Sequence, residues 1–270
     1  MNFSVLLSVY HKEDPLFLAQ ALNSIEIQTL KPNEIVIVKD GPLTSELDQV
    51  ITQYAQNTHI AYKVIPIQKN VGLGQALNEG LRHCHYEWVA RMDTDDIALP
   101  DRFKKQIAYL RQYPKIDILG SWICEFENEP SHCNRKRRVP SAHHEIISYA
   151  KYRNPMNHMT VIFKKSAVEE AGGYLPLNSF EDYYLWMRML KKGKIFANLS
   201  EVTVHARAGR EMIKRRQGWR YAKDEMALGR KAYSLGFWSL VDIVRNSFIR
   251  ILPRLLPVIV VEKVYNSLRK

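Results

Sequence analysis

Residues 3–9, FSVLLSV, form an unbroken apolar run, and the pattern predicts a first strand there. Asp14-Pro15 follows with a cap and a proline at the first helical position, which opens a helix. EIVIVKDG, residues 34–41, is a second continuous run that stops at Asp40-Gly41, as a strand buried on both faces would before a turn. A helix near 44–56, a strand near 61–66, a helix near 73–83 and a strand near 87–92 continue the alternation. This βαβα order predicts an α/β fold, a mostly parallel central sheet with helices on both faces, over roughly the first 120 residues. Such sheets bind ligands beyond the carboxyl ends of their strands. The polar residues at those ends are Ser8 to Glu13, Asp40, Asn70 to Gly72 and Asp93 to Asp96.

The pattern weakens over 123–158, where the basic run Arg135 to Arg138 reads as a solvated loop. It sharpens again at MTVIF, residues 159–163, a predicted strand. A capping box Ser166-x-x-Glu169, a Gly172-Gly173 stop, a helix from about 180 to 192 closed by Gly193, and a strand pair near 194–206 follow. From about 215 the chain reads as helical and basic. Its last stretch, FIRILPRLLPVIVVEKVYNSLRK, is interrupted by Arg254 and two prolines and falls short of the ~20 apolar residues of a spanning helix. It is expected in a membrane interface, with Arg250, Arg254, Lys263, Arg269 and Lys270 near lipid phosphates; the alternative is packing on the domain.

With 270 residues, 46% of them hydrophobic, the chain suits one large domain or a domain with an appendage, and global disorder is excluded. A net charge of +11 calls for an anionic partner: a nucleotide, a nucleic acid or an acidic membrane. Cys84, Cys124 and Cys133 are an odd number without C-x-x-C spacing, which argues against a zinc site or a disulfide framework and for a reducing compartment. The apolar start lacks a basic leader and reads as a strand, not a signal peptide.

Chemistry concentrates in ARMDTDDIALP, residues 90–100. Asp93 and Asp95 are alternate residues, so an extended backbone turns both to one face, where a hard divalent cation relieves their repulsion. An EF-hand loop fails, because Ala98 and Lys104 stand where glycine and glutamate are required. Capping of the helix expected from about 101 by Asp95 or Asp96 is the simpler alternative. KNVGLGQALNEG, residues 69–80, opens a helix after the third strand and lacks dinucleotide-binding spacing, since Leu77 holds the last position. SFEDYYLW, residues 179–186, puts Glu181 and Asp182 at a helix start, where Ser179 and Asp182 could form a capping arrangement.

Taken together, SVLLSVYHKED, VIVKDG, NVGLGQALNEG, MDTDD with Pro100 after it, and GGY followed by FEDYYLW resemble the family 2 glycosyltransferases of the GT-A fold, in order over residues 1 to about 210. NPMNHMTVIFKKSAVEEAGGY, residues 154–174, further resembles bacterial transferases that assemble O-antigen or exopolysaccharide repeat units, including amylovoran-type and β1,3-galactosyl- and glucosyltransferases. The resemblance implies a GT-A domain over 1–210, with a nucleotide-sugar half (1–120) and an acceptor half (121–210), and a membrane-associating basic helical tail over 211–270. It places the nucleotide sugar on Ser8, Val9, Tyr10, Glu13, Asp40, Asn70, Gly72, Asp93 and Asp96. It gives Mn2+ or Mg2+ to Asp93 and Asp95, with His205 as a third ligand. Asp182 becomes the general base, supported by Glu181, and the acceptor is expected on Asp96, His158, Glu181 and Trp186. Leu77 stands before Asn78 where the family often has arginine, which removes one nucleotide contact.

The implied reaction is inverting transfer of galactose or glucose from a UDP-sugar to a GlcNAc or GalNAc diphosphate carried on undecaprenol, in β1,3 linkage, at the inner face of the cytoplasmic membrane and without nucleic acid. A sugar-1-phosphate nucleotidyltransferase would want a glycine-rich phosphate loop after the first strand, and SVYHKEDP has no glycine. A basic nucleic-acid-binding protein fits the charge, but acidic strand ends repel phosphate.

Overall fold

The computed structural model describes residues 1–251 apart from 128, 134 and 209–217, so the expected membrane-facing stretch lies beyond the described residues from 252 onward. Strands β1 (Phe3–Val9), β2 (Glu34–Asp40), β3 (Ala61–Ile67) and β4 (Trp88–Arg91) pair in parallel in the order β3-β2-β1-β4. They alternate with α1 (Pro15–Glu26), α2 (Ser45–Gln56) and α3 (Leu73–His83), matching the predicted alternation. Asp14 Oδ1 accepts the Leu16 N–H at 2.8 Å, which makes it the expected cap of α1.

Beyond β4 the sheet turns mixed. β5 (Ile97–Ala98), β6 (Ile118–Phe126), β8 (Ile162–Lys164) and β9 (Phe196–Arg207) extend it in the order β4-β8-β6-β9-β5, and β7 (Arg135–Arg137) pairs with β6. β8 is antiparallel to both β4 and β6, whereas β6 and β9 run parallel. The predicted parallel sheet therefore describes the first four strands, and the second half is joined through an inserted antiparallel strand.

Each face of the sheet carries its own core. Phe3, Val5, Leu7 and Val9 of β1 pack with Leu18 and Leu22 of α1, Leu47 of α2, and Phe103 and Ile107 of α4 (Arg102–Gln112). Leu6, Val36 and Val38 face the other way, toward Ala76, Leu77 and Leu81 of α3 and Leu185, Trp186 and Met189 of α7 (Glu181–Lys191). Period-two alternation in β1 thus feeds both layers. A third core joins α7 to α8 (Gly218–Ser234): Phe180, Tyr183 and Met187 meet Tyr221, Leu228, Ala232 and Trp238. The described part of the C-terminal extension, α8 and α9 (Leu240–Asn246), consequently packs on the domain.

Several expectations are corrected. The basic run is not a loop: residues 135–137 form β7, paired with Ile123–Glu125, and Arg138 lies 5.4 Å over the Trp122 ring. The hairpin also brings together Cys124 and Cys133, whose sulfurs are bonded across a Cα separation of 5.7 Å, while Cys84 is free and buried. The strand pair near 194–206 is one twelve-residue strand, because the parallel ladder with β6 resumes after register shifts at Trp122. Ser166 does not cap a helix; it lies inside α6 (Lys165–Glu170) and bonds Glu87.

α3 lies so close to the sheet that a β-carbon on Gly80 would sit 2.4 Å from Leu6 Cδ1 and 2.6 Å from Val38 Cγ2, both fully buried. Gly80→Ala is expected to lower the unfolding free energy by roughly 1–3 kcal/mol, read from denaturant midpoints at constant m-value.

Candidate active site

The parallel strands end on a common edge, and β2 supplies its most satisfied acid. Asp40, 2% exposed, accepts the Val71 N–H at 2.7 Å, the Gly72 N–H at 3.1 Å and the Asn70 amide at 3.0 Å. One carboxylate therefore shapes the 70–72 turn that starts α3, and the Asn70 side chain is committed to it. Gly41 makes this approach possible: its φ is +88°, and a β-carbon there would lie 2.8 Å from the Asn70 nitrogen. At β1, the Val9 side chain is buried in the core, so only its backbone can face a ligand; Ser8 and Tyr10 are half-buried.

Asp93 to Asp96 follow β4 with alternating exposure: Asp93 and Asp95 are half-buried, Thr94 and Asp96 buried. Residues 94 and 95 form a turn, and Asp93 and Asp95 both lie near enough to Glu13 and Asp96 to raise them. Neither Asp95 nor Asp96 caps α4, whose cap residue is Asp101. Asp96 Oδ1 accepts the Arg207 N–H at 2.8 Å, and among the described residues its buried Oδ2 has no hydrogen-bond partner. Burial, then Asp95 and Asp93, hold Asp96 well above the usual carboxylate range. Glu13 joins from the β1–α1 loop, where burial and the charges of Asp95 and Asp93 push it up to about 7.

Three arginines offset these acids. Arg91, 1% exposed, bonds Asp93 and the Met92 carbonyl. Arg102, fully buried, donates to the Arg91 carbonyl at 2.7 Å and is pushed down to about 9 by burial and by Arg91. Arg207 donates from Nε to the Asp95 carbonyl at 3.2 Å and stacks 3.6 Å from Phe17. Sequence reasoning missed all three, although a basic residue inside the apolar run VARM was a signal for Arg91.

His205 is not brought to this cluster. Its strand position pairs with Ile97, and among the described residues no group of three or more His, Cys, Asp or Glu side chains is placed to hold a metal. Two neighbouring carboxylates that both act on Glu13 and Asp96 still offer the all-oxygen donors that suit a hard ion.

Asp182 and Glu181 start α7 across from this edge. Asn154 Nδ2 donates to Asp182 Oδ2 at 2.6 Å, and the Tyr183 N–H to Oδ1 at 2.7 Å. The expected Ser179–Asp182 cap does not form; Phe180 is the cap position, and Ser179 holds a left-handed φ of +64°. Glu181 packs against Gly74 at the start of α3, with its Cγ 3.2 Å from a β-carbon built there, and burial with nearby Asp182 and Asp224 pushes it up to about 6. Tyr174 links the two acidic groups: burial raises its phenol, and Asp182 and Asp93 both add to that rise. Its backbone is clamped by the Asn78 amide, with both bonds at 2.7 Å. The Tyr174 hydroxyl bonds His158 Nε2 at 2.9 Å, and burial beside Arg91 keeps that imidazole neutral.

Trp186, expected on the acceptor side, is fully buried in a core position against His158 and Phe196.

The sequence matches Glycosyl transferase family 2 over residues 4–169. It is 44% identical to an uncharacterized glycosyltransferase of Haemophilus influenzae, over 100% of both chains. It is 41% identical to the amylovoran biosynthesis glycosyltransferase AmsE of Erwinia amylovora, over 99% of both. It is 40% identical to an Escherichia coli UDP-Gal:alpha-D-GlcNAc-diphosphoundecaprenol beta-1,3-galactosyltransferase, covering 95% of this chain and 92% of that one. Among solved structures, S. aureus TarS 1–349 in complex with UDP-GlcNAc superposes with a TM-score of 0.65 at 21% identity, over 86% of this chain and 66% of that one. The Pyrobaculum calidifontis mannosyltransferase PcManGT, in complex with GDP-Man and Mn2+, gives 0.60 at 16% identity, over 99% and 80%. The fold is GT-A, and the chain is a family 2 glycosyltransferase, which sets aside the nucleotidyltransferase and nucleic-acid-binding alternatives.

Two measurements probe the geometry. Asp40→Ala strands three donors of the 70–72 turn and is expected to cost roughly 2–3 kcal/mol in chemical denaturation. Glu181, raised in the folded protein, loses its proton at lower pH when unfolded, so its penalty on stability develops between about 4.5 and about 6 and persists above. Glu181→Gln should then melt higher than wild type above pH 6, with the gain vanishing below about 4.5.

Proposed function

We propose that the chain transfers galactose, or glucose, from a UDP-sugar to a GlcNAc- or GalNAc-diphosphate-undecaprenol acceptor with inversion, forming a β1,3 linkage in O-antigen or exopolysaccharide repeat-unit assembly. The observation that carries this is the nearness of two acidic groups: Glu181, next to Asp182, packs on Gly74 at the start of α3, and Tyr174 lies close enough to Asp182 and to Asp93 to feel both. Similarity over almost the full length to the Escherichia coli galactosyltransferase supports the choice of donor and acceptor.

The chemistry follows from charge. Breaking the anomeric bond leaves negative charge on a diphosphate, and the attacking hydroxyl must lose its proton as the new bond forms. Asp182 would take that proton from the face away from the leaving group, which would give inversion by the geometry that governs inverting glycosidases. Glu181, half-buried beside it and able to hold a proton near pH 6, would hydrogen-bond the acceptor sugar. His158 stays neutral and, through the Tyr174 hydroxyl, would line the acceptor side. Ser8, the Val9 backbone, Tyr10 and the 70–72 turn set by Asp40 would cradle the nucleotide. Mn2+ or Mg2+ would be held by Asp93 and Asp95 and, when bound, stabilises charge on the diphosphate. Arg91 and Arg102 hold the loop that presents these carboxylates.

The acceptor's lipid would bring the protein to the inner face of the cytoplasmic membrane as a peripheral enzyme. Among the described residues no helix is long and apolar enough to cross a membrane. The outer side of α9 and the turn after it exposes Leu240, Val241, Val244, Phe248 and Ile249 near Arg245, an apolar face with cationic company that suits an anionic interface.

A donor screen on a synthetic GlcNAc-diphosphate lipid, with and without manganese, should give turnover with UDP-galactose or UDP-glucose and none with chelator present. Asp182→Asn should lower kcat at least ~100-fold with little change in donor KM, and Asp95→Asn should mainly abolish the metal response. A full-rate Asp182→Asn enzyme would refute the base. Replacing Val241, Val244 and Phe248 together by serine should weaken sedimentation with phosphatidylglycerol vesicles at unchanged melting temperature; equal sedimentation would remove the membrane reading.

A further inference from the structure

The loop after α5 (His143–Tyr149) ends in Asn154, the donor to Asp182 Oδ2. The carbonyls just before it are gripped in sequence by α7 and by the C-terminal extension. Ala150 O accepts from the Tyr183 hydroxyl at 2.8 Å and the Trp238 indole at 3.4 Å. Lys151 O accepts from Arg245 Nη2 at 3.0 Å and from Asn246 Nδ2 at 2.8 Å. Tyr152 O accepts from Arg250 Nη1 at 3.1 Å.

An ordinary surface loop leaves such carbonyls to water. Here the donors are themselves fixed. Asn246 is 3% exposed, and Arg250 pairs with buried Glu225 at 2.7 Å. The Arg250 guanidinium also lies 5.6 Å from the Phe180 ring and 5.3 Å from the Tyr183 ring, the residues that bracket Glu181 and Asp182. One side chain from the extension therefore touches both the loop that carries Asn154 and the helix start that carries the acid.

We propose that Asn154 is a positioning residue for Asp182, and that the C-terminal extension holds it in register through Trp238, Asn246 and Arg250. This rests on the assignment of Asp182 as the base. Bonds from Asn154 to one oxygen and from the Tyr183 N–H to the other fix the carboxylate plane. A displacement of about 1 Å at such a group can cost ~100-fold in rate. The extension is then part of the catalytic apparatus, and its outer and inner faces have separate duties.

The test is steady-state kinetics with UDP-galactose and a GlcNAc-diphosphate lipid on the full chain, for Asn154→Ala, Asn154→Ser, Asn246→Ala, the Asn154→Ala/Asn246→Ala double variant and Asp182→Asn. Asn154→Ala should lower kcat by roughly 30–100-fold with both KM values within about threefold, and Asn154→Ser, which keeps a donor, should recover part of the loss. Asn246→Ala should lower kcat several-fold alone and less than about twofold in the Asn154→Ala background, because its effect passes through Asn154. Unchanged kcat in folded Asn154→Ala, or losses that simply multiply in the double variant, would overturn the proposal. Should Asn246→Ala fail to fold, Trp238→Phe, which removes the indole donor together with part of a buried ring, takes its place in the same cycle, with its melting temperature measured beside kcat. Full activity in Asp182→Asn would sink the base assignment itself, whereas an inactive Asp182→Asn beside a fully active Asn154→Ala would sink only the positioning.

Discussion

Four carboxylates crowd one strand edge, and the structure tolerates them because Arg91 is buried beneath. Its guanidinium bonds Asp93 and the Met92 carbonyl, while its own carbonyl is held by the equally buried Arg102. Removing a buried guanidinium from such a set would leave unpaired charge, which costs far more than the pair itself contributes. The turn after β4 is therefore fixed electrostatically as much as by packing. Arg91 ties half-buried Asp93 from below, and the Arg207 N–H ties buried Asp96.

This arrangement ties the two halves of the sheet together at the point where chemistry is expected. Arg207 comes from β9, over a hundred positions along the chain from the acids it meets, and also reaches Gln20 of α1 at 2.9 Å. The Arg91 N–H bonds the Val161 carbonyl at 2.8 Å, just before β8. Inserting antiparallel β8 between β4 and β6 is what carries the second half across, so that the start of α7 faces the strand edge instead of extending the sheet away from it.

The C-terminal extension follows the same logic. Its inner face joins the Phe180–Tyr183 cluster and the carbonyls of 150–152, and its outer face leaves aliphatic and aromatic side chains in solvent. The expected choice between packing on the domain and meeting a membrane falls on the stretch from 248, which lies outside the described residues from 252 onward; α8 and α9 before it pack on the domain. Asp224, from α8, also adds to the rise of Glu181, so the extension reaches the site electrostatically as well as by hydrogen bonds.

By itself the sequence determined the elements governed by local physics. Apolar runs and the Asp14 cap set β1 to α3, and the acids of 93–96 stood out as a cluster at the end of β4. Ordered motifs were enough to place the chain in its family, because they sit at strand ends whose relation a parallel sheet dictates. Tertiary structure decided everything that depends on partners distant along the chain. Local pattern could not reveal that Asp40 accepts three donors of the 70–72 turn, or that Trp186 is walled behind His158. Nor could a charge run announce itself as β7, since pairing with β6 is a property of the partner strand. Local sequence specifies which way a side chain leaves its own backbone; what it meets there is set by the packing of elements far away along the chain.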